Sequence, residues 1–210
     1  MLIATLIMFA TTAMLITWNE QFIFQNEGRL VITPVADDPN AVVFTWRSDV
    51  DVPMARRFEE GFDEWRYKAD RIIIDLNSPG GSIAEGEAVI REIQRWKRTH
   101  IVDTRVRDRR ACYSMCVPIF LQGEVRSAAP SARFMFHEPT AYDYYTGEAV
   151  EEPAFEREMT SRRFFNRYFV NSPMDPAWRD KLAEEWIGKD VYYYAQELVD
   201  QRSNIVTRLE

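Results

Sequence analysis

The chain has 210 residues, 46% of them apolar and 28% charged, the balance of a folded domain rather than of a disordered segment. Eight Gly and ten Pro exclude collagen-like and low-complexity chains, and no period of roughly 20 to 50 residues recurs, which removes solenoids and propellers. Twenty-six Lys and Arg against 33 Asp and Glu leave a net charge of −7, which argues against nucleic acid as a main partner. With two His and two Cys, a finger or ribbon zinc site would consume nearly every ligand available, and a disulfide framework cannot be built.

From Met1 to Trp18 there is no charged side chain, and Leu2–Trp18 is apolar apart from four Thr. As a helix this run would extend about 26 Å, close to a hydrocarbon core. No Lys or Arg precedes it and no A-x-A-like site follows, so an uncleaved membrane anchor over residues 1–18 is expected, with a buried core helix and a cleaved signal peptide as the alternatives. The nearest basic residue is Arg29, so charge does not orient the span. Residues 19–40 read as a linker with the first strands, and 41–210 as the main folded domain.

Beyond the anchor, strands and helices alternate: a strand at Ala41–Trp46, a helix at Pro53–Tyr67 and a buried strand at Arg71–Leu76. Ser82-Ile83-Ala84-Glu85 has the form of a capping box, which starts a helix running to about Lys97. A strand at Ile101–Val106, a helix over Met115–Leu121 and a strand at Arg133–Phe136 follow, then a Tyr-rich connection from Thr140 to Glu152. Phe155–Phe169 reads as one helix, and Asp175-Pro176 supplies the cap and first residue of another, with Trp178, Leu182 and Trp186 on one face. Strand Val191–Tyr194, a short helix near Ala195–Gln201 and Asn204–Leu209 close the chain. This alternation predicts an α/β fold with a largely parallel sheet.

Three features at element boundaries could carry chemistry. Pro79-Gly80-Gly81 can take positive φ and expose a backbone N–H, as an oxyanion donor requires, or serve only as a tight turn. Ser114, ahead of an apolar helix, is either a hydroxyl presented at a positive helix end or an N-cap. His137 leaves the apolar run Phe134-Met135-Phe136 before Pro139, as a base in a pocket or as a core histidine. His100 reads as a surface residue. The basic stretch Arg105, Arg107, Arg109 and Arg110 reads as a solvated edge or a subunit contact. Cys112 and Cys116, four apart at a helix start, read as small buried packing residues that do not bridge.

Taken in order, Ile72–Asn77 leading into Ser78-Pro79-Gly80-Gly81-Ser82, then Ser114-Met115, then Arg126–Pro139 ending in Phe136-His137-Glu138-Pro139, resemble the Clp protease proteolytic subunit and its relatives in the ClpP/crotonase superfamily. The resemblance spans about Val42 to Val206 and implies a repeated β-β-α superhelix preceded, here, by the hydrophobic helix. It implies a serine endopeptidase with Ser114 as nucleophile, His137 as base and Asp190, five residues before Ala195, as the third triad member. Gly81 and the Met115 N–H become the oxyanion hole, and Gly80, Ser82, Pro139 and Tyr142 contact substrate, with Tyr142, Tyr144 and Tyr145 falling where an extended peptide pairs by strand addition. It implies a homo-oligomer acting on peptide or protein substrates, with no cofactor or metal.

Glu138 stands where the family has Gln, and a carboxylate beside the base is expected to raise its pKa. An apolar segment also stands in place of the family's ATPase-engaging segment. In that respect the chain is similar to predicted periplasmic Clp-like proteins, so a catalytic domain outside the cytoplasm is expected. It is less similar to membrane-bound signal-peptide peptidases, whose Ser/Lys dyad contrasts with His137 here. A crotonase-type acyl-thioester enzyme and a catalytically silent anchored scaffold are the alternatives.

Overall fold

A computed structural model describes residues 30–141, 150 and 153–210. The expected anchor helix over residues 1–18 lies outside the described residues. Among those that are described, no helix is long and apolar enough to cross a membrane.

Two sheets organise the domain. The larger has six strands in the order β1 (Val31–Val35), β2 (Asp38–Trp46), β3 (Arg71–Leu76), β4 (Ile101–Val106), β6 (Arg126–Ala128) and β9 (Arg208–Leu209). All its pairs are parallel except the β1–β2 hairpin at one edge. The smaller sheet sets β5 (Ala111–Tyr113) parallel to β7 (Arg133–Phe136), and β7 antiparallel to β8 (Val191–Tyr194). The sheets are thus mixed, and the largely parallel expectation holds for the larger one.

Helix α1 (Met54–Trp65) links β2 to β3 and α2 (Ile83–Trp96) links β3 to β4, since parallel neighbours need a crossover. Their shared apolar faces meet over β2. Phe58 and Phe62 stack on the Trp96 ring at 5.9 and 4.9 Å, and Phe44 meets it edge-on at 5.6 Å. Ser82 caps α2 as expected, its hydroxyl accepting the Glu85 N–H at 3.3 Å. The reciprocal arm of the capping box is not made. Glu85 instead reaches α1, where its carboxylate accepts the Ala55 N–H at 2.7 Å. One acidic residue thereby ties two helix starts together, because α1 has no side-chain cap of its own. His100 is half-buried rather than a plain surface residue, with its ring edge-on to Phe62 and Nε2 3.0 Å from the Arg66 carbonyl.

A second aromatic cluster covers the smaller sheet. The helix expected over Phe155–Phe169 divides into α4 (Ala154–Phe165) and a turn of π-helix, Asn166–Val170. The wider turn buries Tyr168 and Phe169 together, and Phe169 touches Phe136, Phe164, Phe165 and Trp186. Helix α5 (Pro176–Glu185) starts as predicted, with Asp175 accepting the Trp178 N–H at 3.0 Å, and Trp178, Leu182 and Trp186 are buried. Helices α3 (Cys116–Phe120) and α6 (Ala195–Asp200) are short.

The basic stretch is only partly a solvated edge. Arg105 and Arg107 both pair with the buried carboxylate of Asp75 on β3, Arg105 at 3.2 Å, while Arg109 is exposed and pairs with Asp108. A carboxylate inside a sheet needs such cationic partners to offset its desolvation.

The Trp96 indole joins α2 to both α1 and β2, so Trp96→Ala is expected to lower stability by about 3–5 kcal/mol. Urea unfolding followed by circular dichroism checks this, with the midpoint falling and the slope unchanged.

Candidate active site

The chain just beyond β3 runs beside β5, and β5 beside β7, which brings the three sequence motifs together. Beyond β3, Ser78 forms a parallel bridge with Cys112, donating its N–H to the Ala111 carbonyl at 2.8 Å and accepting the Tyr113 N–H at 3.0 Å. β5 in turn pairs with β7, Tyr113 opposite Met135. The glycine turn therefore lies beside the β5–α3 junction. Gly80 has φ +96°, and a Cβ there would sit 2.5 Å from the Ser114 Cβ and 3.1 Å from the Met115 nitrogen. Gly81 has φ +145°, and a Cβ there would meet the Val50 carbonyl oxygen at 2.5 Å. Neither position admits a side chain, so both glycines are required for approach as well as for dihedral freedom.

Ser114 is not an N-cap. It occupies the left-handed region at φ +53°, which a residue with a Cβ adopts at a cost, and Met115 stands between it and α3 without a capping side chain. This left-handed residue reverses the chain sharply between β5 and α3. Its N–H donates to the Met135 carbonyl at 2.9 Å and its carbonyl accepts the Val117 N–H at 2.9 Å. Its hydroxyl instead turns to His137, with Oγ 2.7 Å from Nε2. Cys112 and Cys116 are joined by a disulfide across this turn, contrary to the sequence-based expectation. The left-handed residue between them curls the chain enough to bring their Cα atoms to 5.2 Å, an ordinary separation for a disulfide.

The third expected residue arrives by strand register. β7 and β8 pair Phe136 with Val191, so the next position out on each strand sets His137 opposite Asp190. Asp190 Oδ1 lies 3.8 Å from His137 Nδ1, within ion-pair range but beyond a hydrogen bond, and about half of its side chain is exposed. Its other oxygen accepts the Tyr192 hydroxyl at 3.4 Å. Burial pushes the His137 pKa below the ordinary 6.5, and Asp190 partly opposes that shift. Glu138 does not raise it, as its position beside the base had suggested. Its carboxylate turns to the α5–β8 loop and accepts the Gly188 N–H at 2.8 Å.

A cavity of about 570 Å³ opens beside these groups. Of the residues expected to contact substrate, Gly80, Ser82 and Pro139 line it, as does Gly81. Tyr142, with Tyr144 and Tyr145, lies outside the described residues. Asp49, Ile83, Met135 and Phe164 also line the cavity. Sequence reasoning did not single these out, because each is an unremarkable member of a loop, helix or strand until the chain folds. Among the described residues, the N–H groups of Gly81 and Met115 have no hydrogen-bond acceptor, and the Met115 side chain is buried against Gly86 of α2. No group of three or more His, Cys, Asp or Glu that could hold a metal ion occurs among the described residues.

A hydroxyl hydrogen-bonded to a largely neutral imidazole, beside two free N–H groups, is an arrangement suited to acyl transfer. The Clp protease family profile matches residues 63–176, more than half of the sequence. The chain belongs to the Clp protease family. Among its curated relatives, the ATP-dependent Clp protease proteolytic subunit 1 of Chlamydia pneumoniae is 30% identical over 133 residues, covering 61% of this chain and 65% of the relative. The protein of the same name from Chlamydia caviae is 28% identical over 139 residues, 65% of this chain and 70% of the relative. This Clp family member thus spans slightly less than two thirds of the length of the first of these relatives. A point mutant of ClpP1 from Listeria monocytogenes superposes with a TM-score of 0.60 over 80% of this chain and 90% of its own, at 17% identity, a likeness of fold.

The burial of His137 and the carboxylate beside it predict its titration. Its imidazole should titrate with a midpoint below 6.5, and Asp190→Asn should lower that midpoint further, because the carboxylate is what favours the imidazolium. NMR of the two histidine rings against pH reads both shifts.

Proposed function

We propose that this chain is a serine peptidase. Ser114 Oγ attacks the carbonyl carbon of a peptide bond while His137 Nε2 takes the hydroxyl proton, and Asp190 orients the imidazole through Nδ1. The Gly81 and Met115 N–H groups receive the oxyanion of the tetrahedral intermediate. His137 then gives its proton to the leaving amine, and water, deprotonated by the same imidazole, releases the acyl group from Ser114. The observation that carries this reading is the 2.7 Å contact between Ser114 and His137 at the cavity, in a member of the Clp protease family. A thioester enzyme of the crotonase type would have no use for that pair, nor would a silent scaffold.

The segment after Pro139, including Tyr142, is proposed to pair with an extended peptide substrate. Residues 1–18 are proposed as a membrane anchor, supported by their uncharged apolar run. An extracytoplasmic catalytic domain is supported by the Cys112–Cys116 disulfide, since such bonds persist in oxidising compartments. A homo-oligomeric assembly is supported by the apolar side chains exposed on and near α4 and α5, Phe155 and Ile187 among them.

A fluorophosphonate probe should label the purified wild type and leave Ser114→Ala unlabelled. A folded wild type that stays unlabelled overturns the assignment. Peptide turnover should fall on the order of 10⁴-fold or more in Ser114→Ala and in His137→Ala. Gly80→Ala, which drives a methyl into Ser114, should cost on the order of 10²-fold in the rate of labelling.

A further inference from the structure

The disulfide encloses Tyr113, Ser114 and Met115, the nucleophile with a residue on either side. Both sulfurs belong to completely buried residues, and the described chain holds no free cysteine. One end of the bridge is anchored in the smaller sheet, where Cys112 on β5 pairs with Phe134 on β7. The other is the first residue of α3. So short a loop restricts the unfolded chain little, and the bond's main effect is local. It limits the separation of the two ends of a turn whose middle residue sits in the left-handed region, at φ +53°.

That turn has an alternative. If Ser114 relaxed to right-handed dihedrals, α3 would start earlier and the hydroxyl would swing away from His137, while the Ser114–Met115 peptide plane would rotate and turn the Met115 N–H out of its present direction. Packing opposes this from one side, where the Gly80 backbone lies against the Ser114 Cβ. The covalent bond opposes it from the other.

We propose that the Cys112–Cys116 disulfide is a positioning element for catalysis: it holds Ser114 and the Met115 N–H in the reactive conformation before substrate arrives, so that full activity belongs to the oxidised chain. The inference rests on the serine peptidase reading. Reduction by a dithiol would convert the cystine to two thiols and the reductant to its cyclic disulfide, and a disulfide oxidant such as oxidised glutathione would restore it. Because the sulfurs are buried, reduction waits on opening of the turn and is slow.

The test uses the full chain and a fluorophosphonate together with a peptide substrate. Cys112→Ala/Cys116→Ala should keep its circular dichroism spectrum and its KM, and lose on the order of 10²-fold in kcat and in labelling rate. Wild type held in dithiol until both thiols alkylate should show the same loss while still folded. Reoxidation should restore wild type and leave the double variant unchanged. This second arm decides the matter if the double variant does not fold. A folded double variant, or a fully reduced wild type, that reacts at the untreated wild-type rate would sink the proposal while leaving the peptidase reading intact. An untreated wild type that is never labelled removes both.

Discussion

A single backbone reversal governs the geometry of the site. Between β5 and α3 the chain must turn within a few residues, and it does so by placing Ser114 in a conformation that side chains with a Cβ seldom adopt. Such a conformation persists only where its surroundings over-determine it. Here the surroundings are the Gly80 backbone, the Met135 carbonyl that accepts the Ser114 N–H, and the disulfide that closes the turn. The two glycines, the buried Met115 side chain and the vacancy at Gly86 that admits it all follow from the need to keep that turn in place.

Strand register then does the assembling. Parallel pairing of β5 with β7 sets the serine turn level with the end of β7, and antiparallel pairing of β7 with β8 sets Asp190 across from His137. Groups about 50 residues apart in sequence meet because sheets convert sequence into position in steps of one residue. A slip of a single residue in the β7–β8 pair would turn Asp190 away from the imidazole. Glu138 secures the α5–β8 loop that leads to β8, so the residue after the base supports the position of the carboxylate rather than altering the charge on the ring.

Electrostatics divide between structure and site. Asp75 is buried and shared by Arg105 and Arg107, which cross-links the ends of β3 and β4 just below the glycine turn. His137 is kept neutral chiefly by burial, with Asp190 half in solvent and therefore a moderate influence. A neutral imidazole against a hydroxyl is the protonation state from which a proton can be taken.

Residue types and their spacing determined the strands Arg71–Leu76, Ile101–Val106, Arg133–Phe136 and Val191–Tyr194, and the caps Ser82 and Asp175, because period and capping are local properties that neighbouring residues impose on one another. They also marked Gly80, Gly81, Ser114 and His137 as residues at element boundaries, while Asp190 was legible only through the family resemblance, since nothing local distinguishes it. The destination of Glu85, the pairing of Arg105 with Asp75, the lining of the cavity by Asp49 and Phe164, and the turn of Glu138 toward Gly188 were decided by the tertiary structure alone. Each depends on which distant segment folding brings alongside. The disulfide belongs with them: two cysteines four apart bridge only where the chain between them turns back, and that turn at Ser114 forms where the glycine turn, the strand ends and the helix meet.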